Sequence, residues 1–338
     1  MLIFFWLAVL VISFYLLAYF IDEYFVCSLE KISARLKLSS DMAGATLMAI
    51  GSSAPELCVS FFALIRPGNH AIIGLGTIVG SALFNLLVIT AACGFAGKSK
   101  IQWQPMLREG IFYTLSIFLL FAAFYNDSLG YFEALLFLLL YGVYIFFVLY
   151  WMHFFPYEEQ VSYEEDSESK SYFLSFLFPK AEHYYRVFFI SIVYISVLSW
   201  LLVESAVAIS YLLNISESFI ALTVVAVGTS IPDLISSYVV AKRGKSSMAI
   251  SNAVGSNIFD ILIGIGLPLF LVLSFSDEPL KIEGQELFSS LFLLLSSTLL
   301  TFALFHLRGW RLDWKSGIIL LGIYVFYLLW LSWGQMNL

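Results

Sequence analysis

The sequence predicts an all-α integral membrane protein with ten transmembrane helices, arranged as two inverted-topology five-helix repeats. Three observations support this fold class: an apolar composition, ten apolar stretches of membrane-spanning length, and a polar motif that occurs once in each half. The chain has 338 residues, of which 61% are hydrophobic and 12% charged, and its mean hydropathy is +0.91. This composition is far from that of a soluble domain, so we expect the lipid bilayer as solvent and no nucleic-acid partner.

The ten apolar stretches are each long enough to cross the hydrocarbon core of a bilayer, about 30 Å thick, as a helix. The predicted spans are residues 1–21, 41–65, 70–96, 109–126, 130–152, 186–212, 217–241, 247–273, 285–306 and 314–334. The first span has no basic segment before it and is longer than the apolar core of an ordinary signal peptide. It is therefore interpreted as a transmembrane helix.

The basic residues predict the orientation of these spans. Fifteen of the 17 Lys and Arg residues fall in loops on one side of the predicted membrane, and only Arg66 and Lys281 fall on the other. Cytoplasmic loops carry the excess of Lys and Arg in membrane proteins. We therefore expect a multi-pass protein of the cell inner (cytoplasmic) membrane, with both termini outside the cytoplasm.

The chain divides into two halves of five spans, residues 1–152 and 186–338, joined by a hydrophilic segment, residues 153–185. Six carboxylates lie within eleven residues of this segment: Glu158, Glu159, Glu164, Glu165, Asp166 and Glu168. The run lacks the regular Asp/Asn/Gly spacing of a Ca²⁺-binding loop. A solvated cytoplasmic linker is the favoured interpretation, and a Ca²⁺-sensing loop is the alternative.

A polar motif occurs twice and predicts an internal repeat. GSSAPEL at residues 51–57 aligns with GTSIPDL at 228–234, and VGSALFN at 79–85 aligns with VGSNIFD at 254–260. Because five spans are an odd number, the two copies enter the membrane from opposite sides. Many secondary transporters have this inverted repeat, with an ion site near the midplane where the halves meet.

Each copy places an acid, Glu56 or Asp233, inside an apolar helix, where a charge costs several kcal/mol unless it faces a cavity or a cation. In a regular helix, the hydroxyl residues three and four positions before each acid would share its face. The candidate side-chain ligands are Glu56, Asp233, Asn85, Asp260, Ser52, Ser53, Ser81, Thr229, Ser230 and Ser256. An all-oxygen set of this kind suits Ca²⁺ and Na⁺, and it does not suit zinc or copper.

Two prolines predict additional oxygen ligands. Pro55 and Pro232 have no N–H, so the carbonyls of Gly51 and Gly228 lose their usual helical hydrogen bond. Free carbonyls at membrane depth are tolerated where they line a cavity, and a cation can satisfy them.

The cysteine and histidine residues indicate neither a metal centre nor a cofactor. Their spacing matches no paired metal-ligand motif, and we interpret the cysteines as packing residues and the histidines as interfacial or solvated. These residues are Cys27, Cys58, Cys93, His70, His153, His183 and His306.

At the paired motifs the chain resembles the sodium/calcium exchanger members of the cation/calcium exchanger superfamily. GSSAPEL, GTIVGSALFN, GTSIPDL and AVGSNIFD are most similar to the potassium-dependent branch. The resemblance covers residues 42–94 and 222–268. It implies a secondary antiporter, not an enzyme, that extrudes Ca²⁺ in exchange for Na⁺, with or without K⁺.

The resemblance also implies roles for individual residues. The central acids of the family match Glu56 and Asp233, and its carbonyl ligands match Ala49 and Ala226, whereas the proline argument points to Gly51 and Gly228. In the family, Ca²⁺ and Na⁺ compete for overlapping sites, and helices one and six slide across a four-helix core. Asp260, which stands where Asn85 stands in the other half, could balance a K⁺ ion or remain protonated.

Two other functions are alternatives. A proton/calcium antiporter on the same fold would use Asp260 as a proton carrier, but the proton-driven relatives open this motif with Gly-Asn, not Gly-Ser or Gly-Thr. An intramembrane aspartyl protease would use Asp233 and Asp260 as a dyad, and it leaves the Glu56 repeat unexplained.

Overall fold

The computed structural model describes residues 2–36, 46, 49–68, 70–97, 99–125, 128–156, 183–242, 244, 246–275, 279–281 and 285–336. The acidic run of the predicted linker lies outside these residues. The helices of the first half are α1 (Leu2–Phe20), α2 (Cys27–Leu36), α3 (Ala49–Ser52), α4 (Ala54–Ile65), α5 (Ala71–Phe84), α6 (Thr90–Ala96), α7 (Trp103–Phe124) and α8 (Tyr131–Phe154). Those of the second half are α9 (Tyr184–Leu213), α10 (Glu217–Ile220), α11 (Ala226–Thr229), α12 (Ile231–Lys242), α13 (Ser246–Phe259), α14 (Gly266–Leu273), α15 (Gln285–Leu307) and α16 (Trp314–Met336).

Among the described residues, four π-helical turns join consecutive helices into longer spans. They are Ile21–Val26, Asn85–Ile89, Ala221–Val225 and Asp260–Ile265. Turns of this kind are rare and occur often at functional sites. Two of them begin at the paired residues of the repeat, Asn85 and Asp260.

The helical membrane fold is confirmed. Eight helices in the described residues are long and apolar enough to cross a bilayer, and a ninth candidate, Glu217–Thr229 with Ile231–Lys242, is bent by 43°. Helix α4 is a shorter apolar helix, and much of the first part of the predicted span 41–65 lies outside the described residues. The count of ten and the inverted repeat therefore stay predictions.

The described residues also contain two short antiparallel strand pairs, which the all-α prediction did not include. Strand β1 (Ser99–Lys100) pairs with β4 (Arg311–Leu312), and β2 (Ser128–Leu129) pairs with β3 (Leu280–Lys281). Each pair joins a loop of the first half to a loop of the second. In the predicted repeat, β1 is equivalent to β3 and β2 is equivalent to β4. Exchanging the two halves therefore converts the β1–β4 pair into the β3–β2 pair, which supports the predicted repeat.

The fourth span begins earlier than predicted. Helix α7 starts at Trp103 instead of residue 109, so Arg108, predicted in a loop, lies fully buried in the helix. Burial is possible because Arg108 Nε donates to Glu109 Oε1 at 3.0 Å and the Tyr144 hydroxyl donates to Glu109 Oε2 at 2.9 Å. The prediction failed because a paired charge can enter a helix from which a single charge is excluded.

Two apolar clusters organise the packing. The larger one lies around α5 to α8 and α13 to α16. The smaller one contains residues of α1 and α9, such as Leu17 and Leu202, packed against α4 residues such as Val59. Helix α9 has 30 residues and packs along α1. Helices α1 and α9 thus form a pair that lies against the rest of the bundle.

Glycines allow close contact between the two repeat motifs and their neighbours. A Cβ atom on Gly80 would lie 2.5 Å from the Leu222 carbonyl oxygen and 2.7 Å from Ala226 Cβ, so α5 packs closely against the π-helical turn Ala221–Val225 and the start of α11. A Cβ atom on Gly228 would overlap the Phe14 ring of α1. The Phe14 ring therefore covers the turn that carries the second motif.

Candidate cation-binding site

Each central acid directly follows a break in its helix. Ser53, between α3 and α4, has φ −89° and ψ 4°, and Ser230, between α11 and α12, has φ −88° and ψ 2°. This region of backbone space is sparsely populated and common at active sites. Pro55 and Pro232 are the second residues of the helices that follow, where a missing N–H interrupts no hydrogen bond.

The four polar groups of the repeat are withdrawn from solvent. Glu56, Asn85 and Asp260 are 0% exposed and Asp233 is 1% exposed. Burial of carboxylates at this depth is costly unless a cation or hydrogen-bond donors compensate.

The central acids make their contacts with the opposite half of the chain. Ser230 Oγ donates to Glu56 Oε1 at 3.3 Å, and Asn85 Nδ2 donates to Asp233 Oδ2 at 3.1 Å. Thr229 also lies beside Glu56, and Ser52 lies beside Asp233. The site is therefore formed jointly by the two halves.

This arrangement corrects the prediction that Ser52 and Ser53 share the helical face of Glu56. Ser52 faces the second half, where its hydroxyl lies 3.2 Å from Ser256 Oγ, and Ser53 lies near Asp260. The expectation that residues three and four positions apart share one face assumes an unbroken helix. The break at Ser53 turns the preceding hydroxyls away from Glu56 and towards the partner motif.

The remaining predicted hydroxyl, Ser81, also lies near Asp260, and it donates to the Ile78 carbonyl oxygen at 3.1 Å. All predicted side-chain ligands are buried. The structure therefore brings them to one region between α3, α4, α5, α11, α12 and α13.

Several buried oxygens in this region have no hydrogen-bond partner among the described residues. They are Ser53 Oγ, Glu56 Oε2, Asn85 Oδ1, Asp233 Oδ1, Asp260 Oδ1 and Asp260 Oδ2. A buried acceptor without a donor destabilises a protein by about 1–3 kcal/mol, and more if it is charged. Coordination of a cation would replace the missing hydrogen bonds, so these unpartnered oxygens indicate a cation-binding site.

The backbone carbonyls suggested as ligands by the family resemblance already accept hydrogen bonds. Ala49 O accepts from Ser53 N at 3.0 Å and from Ser52 Oγ at 3.4 Å. Ala226 O accepts from Ser230 N at 3.2 Å and from Thr229 Oγ1 at 3.3 Å. A carbonyl has two lone pairs, so ligation by either oxygen requires its hydroxyl partner to rotate away.

Within the described ranges, no three His, Cys, Asp or Glu side chains lie close enough together to hold a metal ion by themselves. A cation at this site would need neutral hydroxyl, amide or carbonyl oxygens in addition to the carboxylates. Ca²⁺ and Na⁺ accept such mixed oxygen ligands. Within the part of the chain that the structure describes, Cys27, Cys58 and Cys93 form no disulfide bond.

Sequence reasoning missed Asn257, one turn before Asp260. The buried Asn257 side chain donates to the Ala82 carbonyl oxygen and to the Tyr113 hydroxyl, each at 3.0 Å. The signal was present in the repeat, because Asn257 stands where the first half has Ala82. A polar residue that replaces alanine in a buried motif requires a partner.

The chain is similar to known proteins in sequence and in fold. A family model described as sodium/calcium exchanger protein matches residues 6–150 and 183–333. Sodium/potassium/calcium exchanger 5 of Homo sapiens is 31% identical, covering 90% of this chain and 78% of the relative. Sodium/potassium/calcium exchanger 4 of Mus musculus is 28% identical, covering 93% and 79%. A solved structure of the sodium-calcium exchanger NCX_Mj shares the fold, with a TM-score of 0.62 and 23% identity over 96% of this chain and 98% of that one.

Proposed function

Because the chain belongs to the sodium/calcium exchanger protein family, we propose that it is a secondary antiporter that exchanges Na⁺ for Ca²⁺ through Glu56 and Asp233. The observation that carries the proposal is the meeting of the two repeats at a buried set of unpartnered oxygens, which includes Glu56 Oε2 and Asp233 Oδ1. The names of the relatives indicate which ions are exchanged, and the oxygen atoms of the site are of the kind that bind such ions.

The ligand types suit both ions. Two carboxylates balance the charge of Ca²⁺, and the hydroxyl, amide and carbonyl oxygens complete a coordination shell of six to eight ligands. Na⁺ accepts the same oxygens and needs less negative charge. Competition between the ions for overlapping ligands then couples entry of one ion to release of the other.

Transport requires that this closed site open to each side in turn. The acids are fully buried, so the elements that cover them must move. The α1 and α9 pair is the candidate moving unit, because it has its own apolar cluster and its Phe14 covers the turn at Gly228. The family resemblance independently points to sliding of the same two helices.

The Na⁺ gradient is sufficient for Ca²⁺ extrusion if three Na⁺ enter for each Ca²⁺. A tenfold Na⁺ gradient then supplies about 4 kcal/mol, at about 1.4 kcal/mol per decade and ion. One net inward charge adds about 2.3 kcal/mol at 100 mV. The sum supports a Ca²⁺ ratio above about ten-thousandfold.

The proposal also includes a dependence of Ca²⁺ transport on K⁺. Two relatives are named sodium/potassium/calcium exchangers, and the chain carries a third buried acid, Asp260, near the central pair.

We further propose an inner-membrane location with both termini outside the cytoplasm, which is supported by the distribution of Lys and Arg residues.

Ion binding can be tested on the purified protein without transport. A ligand that binds only the folded state at a hundred times its Kd stabilises that state by about 2.7 kcal/mol, so Ca²⁺ should raise the Tm and Na⁺ should compete with it. Glu56→Gln should lose the Ca²⁺ effect, whereas the control Glu133→Gln, at the start of α8, should keep it. An equal Tm increase in Glu56→Gln would contradict the proposed site, and a Ca²⁺ effect indifferent to Na⁺ but sensitive to pH would favour proton exchange.

A further inference from the structure

Two basic side chains lie directly opposite each other in the strand pair that joins the two halves at the predicted cytoplasmic end. The register of β1 and β4 places Lys100 opposite Arg311 and Ser99 opposite Leu312. Directly opposite residues of an antiparallel pair have Cα atoms about 4.5–5.5 Å apart and share one face. Leu312 is buried whereas Lys100 and Arg311 are exposed, so both cations point away from the bundle. We refer to Lys100 and Arg311 as the basic pair.

The two charges of the basic pair are not neutralised by the residues around them. Like charges directly opposite each other destabilise a strand pair, and within the described part of the chain neither residue forms an ion pair. Asp313 is the one acid in residues 97–108 and 306–316. Its carboxylate accepts from Arg308 Nη1 at 3.0 Å and from the Ser316 backbone N–H at 2.9 Å. The basic pair therefore presents two positive charges to whatever covers this face.

The equivalent position at the opposite end of the bundle carries a single cation. The β2–β3 pair places Lys281 opposite Ser128, and in the predicted repeat Lys281 is equivalent to Lys100 and Ser128 to Arg311. The general excess of Lys and Arg in cytoplasmic loops does not require two of them to face each other across one strand pair. Arg311 thus adds a second charge at a position where the same strand pair forms with one.

The surroundings of the basic pair place it at the level of the lipid headgroups. Trp103 and Trp314, the first residues of α7 and α16, are exposed, and tryptophans at the ends of membrane spans mark the interface with water. Exposed apolar side chains follow one and two turns further along, at Leu107 and Ile111 on α7 and at Ile318 on α16. A molecule that contacts the basic pair and this apolar surface together has an anionic head and an acyl chain.

We propose that the basic pair binds the phosphate group of an anionic phospholipid. Arginine offers N–H donors in a fork that matches phosphate oxygens, and lysine adds a compact point charge. A phosphate between the two side chains replaces their repulsion by two attractions, and it links residue 100 of the first half to residue 311 of the second. The bound lipid thus stabilises the connection between the halves, and this effect does not depend on the proposed antiport.

Native mass spectrometry of the purified protein measures the affinity for phosphatidylglycerol, which carries one negative charge. Each basic residue near an anionic lipid surface strengthens binding about fivefold. Arg311→Gln and Lys100→Gln should therefore each hold the most tightly bound phosphatidylglycerol molecule about fivefold more weakly, and Arg311→Lys should lose less than Arg311→Gln. The control Lys281→Gln should bind as the parent does. Unchanged affinity in both Gln variants, or an equal loss in Lys281→Gln, would overturn the proposal.

The Tm gives a second readout, in which lipid binding predicts a reversal of sign. In nanodiscs of phosphatidylcholine, whose phosphate is accompanied by a cation, Arg311→Gln should unfold at the same Tm as the parent or at a higher one, because the repulsion across β1–β4 is lost. In nanodiscs of phosphatidylglycerol the parent should have the higher Tm. A purely structural role of Arg311 lowers the Tm of the variant equally in both lipids, and that result would contradict lipid binding.

Two other occupants of the basic pair are distinguished by the same measurements. Inorganic phosphate added to phosphatidylcholine nanodiscs should leave the parent Tm unchanged, and an increase equal to that with phosphatidylglycerol would show a site for a soluble anion instead. The ring of Phe155, just after α8, lies 6.3 Å from the ring of Trp103, so the acidic run of the linker begins near the start of α7. Tight lipid binding that appears only after the six linker acids are replaced by Gln would assign the basic pair to that run and reject the lipid.

Discussion

Asn85 and Asp260 occupy equivalent places in the two repeats but have opposite hydrogen-bond states. Asn85 donates to Asp233 Oδ2 at 3.1 Å, whereas both carboxylate oxygens of Asp260 lack a partner among the described residues. At this position of the repeat, the first half thus supplies a donor to the opposite acid, whereas the second half supplies a carboxyl group whose two oxygens have no partner among the described residues. If Asp260 is ionised, this asymmetry places one additional negative charge on one side of the site.

The first prediction concerns that charge. If Asp260 is ionised and binds K⁺, Na⁺-driven Ca²⁺ transport should rise with added K⁺, and Asp260→Asn should transport at a rate indifferent to K⁺. The neutral amide restores the symmetry with Asn85 and removes the charge that K⁺ would balance. Flux is compared in K⁺-free and K⁺-rich media at clamped membrane potential. Equal flux of the parent protein in both media would show that Asp260 acts as a neutral group.

The second prediction concerns the central acids. Glu56→Gln and Asp233→Asn keep the side-chain shape and remove one negative charge each. Loss of one partner of a buried charge pair costs about 3–5 kcal/mol, so Ca²⁺ transport should fall by at least about a hundredfold. Gel filtration and the Tm should show a folded protein, and Glu133→Gln should transport normally. Near-normal exchange by either acid variant would remove that residue from the site.

A third prediction concerns Asn257, whose amide nitrogen connects the two halves. Asn257→Ala removes the amide donor to the Ala82 carbonyl oxygen and to the Tyr113 hydroxyl oxygen, and leaves only the longer contact of 3.4 Å from the Tyr113 hydroxyl to the Ala82 carbonyl. The unfolding free energy should decrease by about 1–3 kcal/mol, with a lower Tm in detergent. Asn252→Ala, whose Oδ1 atom has no partner among the described residues, is the matched control and should change the Tm less. Equal effects would show that the link to Ala82 is not a stabilising contact.

The fourth prediction concerns topology. Single cysteines at Ser167 and Phe275 of a cysteine-free variant should differ in their reaction with an impermeant thiol reagent applied to intact cells. Phe275, which is 93% exposed at the end of α14, should react, and position 167 in the linker should react only after the cells are opened. Labelling of position 167 in intact cells would reverse the predicted orientation.

The helical membrane fold could be predicted from sequence, and so could the burial of Glu56 and Asp233 where the two halves meet. Hydropathy is a local property, and the repetition of the motifs around Glu56 and Asp233 singled out two acids among the 24 Asp and Glu residues. The location of these acids at a shared, buried set of oxygens agrees with that interpretation.

The partners of those acids could not be predicted in the same way. Whether Ser52 faces Glu56 or Asp233 depends on the backbone break at Ser53 and on the crossing of two helices far apart in sequence. Likewise, a charge pattern alone does not reveal that Arg108 is neutralised by its neighbour inside α7. Both features are set by tertiary packing, on which helical periodicity carries no information.

Sodium/calcium exchange by this protein can be measured as ⁴⁵Ca²⁺ uptake into proteoliposomes that are loaded with Na⁺ and diluted into Na⁺-free medium. An outward Na⁺ gradient should drive Ca²⁺ accumulation in parent vesicles, and the uptake should disappear when Na⁺ is equal on both sides or when Asp233→Asn replaces the parent protein. Adding K⁺ in parallel reports on Asp260 in the same experiment. Uptake that follows a pH gradient and ignores the Na⁺ gradient would contradict sodium/calcium exchange by this protein.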